Sequence, residues 1–202
     1  MSIARRTIIY DGPGGPFEGV AAYDDAIEGR RPCVLVFPNV LGQKEADNLK
    51  AEALAGLGYV ALAADVFGQG KRTTLQSEDR SRYMDELNAD RGLLRDRLAA
   101  SLEALKSLAQ ADPDKAAAIG FCFGGKCVLD MARAGLDILG GVSFHVRSDT
   151  EDAIARFHDP RPGAMVRVRL SMVADSARTV ALTLNKIGDK TEQILRKLFP
   201  YI

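Results

Sequence analysis

At 202 residues the chain has the length of one domain with a single sizeable core. Hydrophobic residues make up 47% and charged residues 27%, the balance of an ordinary globular protein. Lys plus Arg and Asp plus Glu both number 27, so there is no basic excess of the kind that nucleic acid or an anionic membrane surface rewards.

The start, Met1–Arg6, is positively charged, but no apolar signal-peptide core follows it and no apolar run is long enough to span a bilayer. Thr7–Tyr10 and Gly19–Tyr23 flank the turn-forming Asp11-Gly-Pro-Gly-Gly-Pro16, which predicts a hairpin at a sheet edge. Cys33–Phe37 is a short continuous apolar run, the pattern of a strand covered on both faces. After the loop Pro38–Gln43, apolar residues at Ala46, Leu49, Ala53, Leu54 and Leu57 have helical spacing, and Gly58 supplies a stop. Tyr59–Ala64 reads as a second buried strand, ending in the turn-rich Asp65-Val-Phe-Gly-Gln-Gly70.

One short helix is expected from Ser77 onward, then a long amphipathic one carrying Leu94, Leu98, Leu102, Leu105 and Leu108. Ala116–Phe121 is a third buried strand, Gly124–Ala134 a helix, and Leu136–Phe144 a fourth strand. This alternation predicts βαβ units and a doubly wound, mostly parallel sheet with helices on both faces, one domain over 1–202. From Val146 the pattern weakens. Val146–Gly163 reads as a polar loop, Met165–Val173 as a strand with one solvated face, and Gly188–Leu198 as a helix. With fewer continuous apolar strands, this third is expected to pack less well than the rest.

The segment Ala118-Ile-Gly-Phe-Cys-Phe-Gly-Gly-Lys126 has the form G-x-C-x-G between an apolar strand and an amphipathic helix. In the serine version of this elbow, a strained turn lifts the nucleophile above the C-terminal edge of a sheet. A thiol in that place meets the positive end of a helix dipole and free N–H groups, both of which favour thiolate. Cys122 is therefore the candidate nucleophile. The Phe123 N–H is one expected oxyanion donor, and the loop Pro38-Asn-Val-Leu-Gly42 is the expected source of a second, at Val40. A buried structural cysteine on a tight glycine turn is the alternative reading. Cys33 in mid-strand and Cys127 within the helix read as core. An odd cysteine count without framework spacing predicts a reduced, cytoplasmic compartment.

Four segments in order, Cys33-Val-Leu-Val-Phe-Pro-Asn-Val-Leu-Gly42, Leu57-Gly-Tyr-Val-Ala-Leu-Ala-Ala-Asp-Val-Phe-Gly68, Ile119-Gly-Phe-Cys-Phe-Gly-Gly125 and Gly141-Val-Ser-Phe-His145, resemble the dienelactone hydrolase family over roughly residues 1–145. The resemblance implies an α/β-hydrolase fold, hydrolysis of lactones and related esters, and Cys122 as nucleophile. It also exposes three departures. A Glu that pairs with the resting thiol in the founding enzymes corresponds here to Asn39, a candidate substrate-binding residue. An Arg that contacts substrate carboxylate corresponds to Gln69, with Lys71 or Arg72 nearby as substitutes. The catalytic Asp aligns with Asp175, but no His follows it, and the only histidines are His145 and His158. His145 matches a strand-end residue that is not the family's base, and His158 neighbours Asp159 only in sequence.

The loss of resemblance near Val146 points to a truncated, frame-shifted or divergent region over 146–202. The first reading is an ester or lactone hydrolase working through a Cys122 acyl-enzyme on a small-molecule substrate. It implies no cofactor and no metal, since the scattered acids and two histidines lack ligand spacing. No nucleic-acid or membrane partner is expected, and a homodimer stays open. The other readings are a catalytically impaired member that binds a small molecule or protein partner, and a redox role for Cys122 with Cys127.

Overall fold

A computed structural model of the chain describes residues 2–144 and two short strands, Val168–Leu170 and Val180–Leu182. Six strands form one sheet: β1 (Ile3–Tyr10), β2 (Phe17–Asp24), β3 (Arg31–Phe37), β4 (Val60–Ala63), β5 (Ala111–Phe121) and β6 (Gly140–Phe144), in the order β1-β2-β4-β3-β5-β6. The β1–β2 hairpin is antiparallel with Tyr10 opposite Phe17, and β1 is an edge, as the turn residues predict. β4, β3, β5 and β6 pair in parallel.

Side-chain alternation splits the core into two layers. Cys33, Leu35, Phe37, Val60, Leu62, Ala116 and Ala118 face one layer, while Val34, Val36, Ala61, Ala63, Ala117 and Ile119 face the other. Both sets are buried, so these strands read as unbroken apolar runs. The first layer is closed by α2 (Arg82–Ala89), α3 (Arg91–Lys106) and α4 (Phe123–Arg133), the second by α1 (Glu45–Ala55). On α3, Leu94, Leu98, Leu102 and Leu105 form the buried stripe, each leucine contributing about 1.5–3 kcal/mol. The Asp90 carboxylate caps this helix, accepting the Leu93 N–H at 2.8 Å.

Three expectations change. On α1 the buried residues are Asp47, Lys50, Ala51, Leu54 and Ala55, whereas Ala46 and Leu49 are exposed. An ion pair inside the buried face displaces the stripe that hydrophobicity alone selects. β5 begins at Ala111, five residues before the apolar run, because an irregularity between Arg31 and Cys33 lets Ala111 pair with Arg31. β6 begins at Gly140, the residues from 135 to 139 being spent turning out of α4.

Of the expected C-terminal strand only Val168–Leu170 (β7) is described, antiparallel to Val180–Leu182 (β8), a strand the sequence did not signal. The loop at 146–163 and the helix at 188–198 lie outside the described residues. No helix among the described residues is long and apolar enough to cross a membrane.

Candidate active site

From β3 the chain passes through α1 to β4 on one side, then crosses back to β5 on the other. The two crossovers leave the sheet in opposite directions, opening a crevice above the C-terminal ends of β3 and β5. One rim is the loop from Pro38 and the other is Cys122, directly after β5.

Cys122 has φ 56° and ψ −113°, the only positive φ among the described non-glycine residues. Such a conformation costs on the order of 1–3 kcal/mol and persists only when its surroundings hold it. Three features do so here. The Cys122 N–H donates to the Phe144 carbonyl at 2.8 Å, and the Cys122 carbonyl accepts from Gly125 at 3.0 Å and Lys126 at 3.3 Å. A Cβ on Gly120 would lie 2.0 Å from the Gly124 carbonyl oxygen. One on Gly124 would lie 2.4 Å from the Phe37 carbonyl oxygen, so the start of α4 rests directly on the end of β3. The side chain of Cys122 is exposed. Phe123 is buried, its ring stacked on Phe67 at 5.6 Å. Its backbone N–H lies in the first turn of α4, where helical geometry provides no partner.

The facing loop is an Asx turn. Asn39 Oδ1 accepts the Leu41 N–H at 3.0 Å, and the Asn39 carbonyl accepts the Gly42 N–H at 3.1 Å. These bonds use the N–H groups of Leu41 and Gly42 and leave that of Val40 out of the turn. Asn39 Oδ1 also accepts from Lys44 Nζ at 2.7 Å. Lys44 is half-buried at the start of α1, and burial holds its ammonium below the usual lysine range. Asp47 opposes that shift, Lys50 adds to it, and Cys122 opposes it. Behind Lys44, the buried Lys50 pairs with Asp47 at 2.9 Å and lies 4.3 Å from the Phe121 ring centroid, and Phe121 stacks on Phe144 at 4.6 Å.

Cys122, Phe123, Asn39 and Val40 thus come together at the crevice. Asp175, His145 and His158 lie outside the described residues. Gln69 is turned to β2, donating to Glu18 Oε2 at 2.9 Å. Arg72 holds the loops together through the carbonyl and side-chain oxygens of Gln43, the latter at 2.8 Å. Cys33 and Cys127 are buried, which pushes the Cys33 thiol up to about 12 and Cys127 upward as well. A redox partnership of Cys122 with Cys127 is therefore disfavoured. The contact of Lys44 with Asn39 was not foreseen in the sequence, because nothing in its spacing sets Lys44 apart from other surface lysines. Among the described residues no group of three or more His, Cys, Asp or Glu could hold a metal ion.

Comparison with known proteins bears on the family and the fold. The dienelactone hydrolase family matches residues 17–161, past the last motif recognisable near Val146. A probable 2-oxo-3-(5-oxofuran-2-ylidene)propanoate lactonase of Bradyrhizobium sp is 28% identical over 144 residues, 66% of this chain and 58% of that protein. A dienelactone hydrolase-like promiscuous phosphotriesterase from metagenomic libraries superposes with a TM-score of 0.71 at 32% identity, over 78% of this chain and 66% of that one. The structure named m3DLH does so with 0.70 at 34% identity, again over 78% and 66%. The chain spans under two thirds of the length of each of these relatives. The fold is that of the α/β-hydrolases, and with the match covering well over half of its length, this chain belongs to the dienelactone hydrolase family.

Proposed function

We propose that the protein hydrolyses a small carboxylic ester or lactone through an acyl-enzyme on Cys122. The observation that carries this reading is the strained, exposed Cys122 at the start of α4, opposite a loop N–H that its turn does not use. Sγ attacks the carbonyl carbon, and the oxyanion forms between the N–H groups of Phe123 and Val40. The acyl C–O bond then breaks, the leaving oxygen takes a proton, and a thioester remains. Water cleaves the thioester to release the acid and restore the thiol. Asn39 lines the crevice as a substrate contact. Asp175 is the acid partner that the family resemblance implies. The name of the Bradyrhizobium relative supports a lactone as one substrate class.

Both histidines of this chain precede Asp175, whereas the family pattern puts the base after it. General-base assistance contributes about 100- to 10,000-fold, so unless His145 or His158 supplies it within these residues, acylation outruns deacylation. The test uses p-nitrophenyl acetate with the wild type and Cys122→Ala. The wild type should give a burst near one equivalent, an acetyl adduct on Cys122 by mass spectrometry, and slow turnover thereafter. Equal turnover by Cys122→Ala would overturn the acyl-enzyme. Fast turnover without a burst would instead assign the base to His145 or His158.

A further inference from the structure

We propose that the buried ion pair of Asp47 and Lys50 on α1 positions the two oxyanion donors against each other, holding the Val40 loop through one arm and the Cys122 elbow through the other. This rests on the reading of Cys122 as nucleophile with Phe123 and Val40 as donors, and adds the residues that set the gap between them.

The need arises where the sheet stops. Parallel pairing fixes β3 against β5 as far as Phe37 and Gly120, and Val40 and Phe123 both lie beyond that last pair. Two donors serve one oxyanion only if each comes within about 3 Å of it, and a misplacement of about 1 Å can cost about 100-fold in rate.

One arm runs to the loop. Asp47 Oδ2 accepts the Lys44 backbone N–H at 3.2 Å, half of a capping box at the start of α1. Lys44 Nζ in turn donates at 2.7 Å to Asn39 Oδ1, the atom that closes the turn around Val40 by accepting the Leu41 N–H. The return of the loop into the helix is thereby pinned at both ends of Lys44.

The other arm runs to the elbow. Asp47 Oδ1 accepts from Lys50 Nζ at 2.9 Å, and that ammonium lies 4.3 Å from the centroid of the Phe121 ring. Phe121 immediately precedes Cys122 and stacks at 4.6 Å on Phe144, whose carbonyl accepts the Cys122 N–H at 2.8 Å. Lys50 therefore bears on the residue before the nucleophile and, through it, on the strand that holds the nucleophile in place.

Stability alone gives no reason for charge here. The rest of the buried face of α1 is Ala51, Leu54 and Ala55. A buried ion pair is often no more stabilising than apolar residues of the same volume. What this one supplies is direction: each oxygen of Asp47 is spent on one arm, so neither rim shifts without the other.

Acylation needs the oxyanion donors and alkylation does not, whereas both scale with the thiolate present. Their ratio at Cys122 therefore reads the oxyanion geometry. The burst with p-nitrophenyl acetate and modification by iodoacetamide, each followed by mass spectrometry of the Cys122 peptide, give the two rates in three proteins: the wild type, the double variant Asp47→Leu, Lys50→Met, and Lys50→Arg. The double variant should lower the ratio about 10- to 100-fold while alkylation stays near the wild-type rate. Lys50→Arg keeps a cation for Asp47 and for the ring, and should hold the wild-type ratio. A double variant with the wild-type ratio, a parallel fall in both rates, or a Lys50→Arg protein as impaired as the double variant would overturn the positioning role. A wild type that forms no acyl adduct would overturn the acyl-enzyme and this role with it, an outcome distinct from the other three.

Discussion

Gly120 and Gly124 stand so close across the elbow that a Cβ on Gly120 would lie 2.0 Å from the Gly124 carbonyl oxygen and 2.7 Å from the Gly125 nitrogen. Both neighbours are backbone atoms at the start of α4, which no rotamer change can move aside.

Gly120→Ala must therefore push α4 away from β5. Overpacking costs about 1–3 kcal/mol where side chains can yield, and a backbone clash belongs at or beyond the top of that range. The expected result is a urea midpoint lowered by at least about 3 kcal/mol of stability, with Cys122 no longer held above the sheet. A Gly120→Ala protein with the wild-type midpoint would show that the strand and helix are not in contact.

The three thiols should separate by accessibility and by pH. In the folded protein iodoacetamide should modify Cys122 alone, with Cys33 and Cys127 reacting only after denaturation. Burial raises Cys33 to about 12, above the ordinary thiol value near 8.5. The unfolded chain thus loses its Cys33 proton first. The stability this gives is complete below about pH 8.5 and falls as pH rises toward 12, by up to about 1.4 kcal/mol per pH unit for one proton. Cys33→Ala should make the alkaline decline shallower, as measured by urea titrations at pH 8, 9 and 10. An unchanged slope would contradict the assignment.

On α1, Asp47 and Lys50 form a pair in which the side chains are 2% and 7% exposed. Removing one partner strands the other charge, so Asp47→Ala should cost about 3–5 kcal/mol. The double variant Asp47→Leu, Lys50→Met keeps the volume and strands nothing, and should fall well short of that loss. A double-mutant cycle by chemical denaturation measures the difference, and additive losses would mean that the pair is solvated.

This pair also shows where hydrophobic pattern stops being informative. The strands β3, β4 and β5 were legible because both of their faces are covered, which leaves unbroken apolar runs from Cys33, Val60 and Ala116 onward. The elbow was legible because Gly120 and Gly124 are demanded by contacts that no other residue can make. The buried face of α1 was not, since two of its inward residues are charged and only tertiary pairing lets them be there. The first half of β5, Asp112-Pro-Asp-Lys115, looks like a loop because it falls in the irregularity between the Arg31–Ala111 and Cys33–Ala116 pairs and runs from half-buried to exposed, which leaves no apolar signature. Lys44 escaped notice for a related reason: its bond to Asn39 Oδ1 is made by the folded loop, not by local pattern.

Arg72 was a sequence-level candidate for binding an anionic substrate, and its bonds to Gln43 assign it elsewhere. Arg72→Ala should lower thermal stability by an amount typical of hydrogen bonds to a charged group, about 1.5–3 kcal/mol. It should not change the ratio of KM values for a carboxylate-bearing ester and its neutral analogue. A selective rise in KM for the anionic ester would return Arg72 to the substrate site.

Arg97 is buried on α3, where burial pulls its guanidinium below the usual arginine range. It donates to the carbonyls of Pro13 at 2.9 Å, Val66 at 3.0 Å and Phe67 at 3.2 Å, and its guanidinium carbon lies 5.3 Å from the Phe17 ring centroid. One cation thereby fastens the β1–β2 turn to the loop that leaves β4, segments more than fifty residues apart in the chain. For anyone building chimeras with relatives, these two loops form a single exchangeable unit. A graft of residues 65–72 alone would bring in carbonyls shaped for a different hairpin, leaving the guanidinium to choose between them. Moving 11–17, 65–72 and Arg97 together preserves the joint.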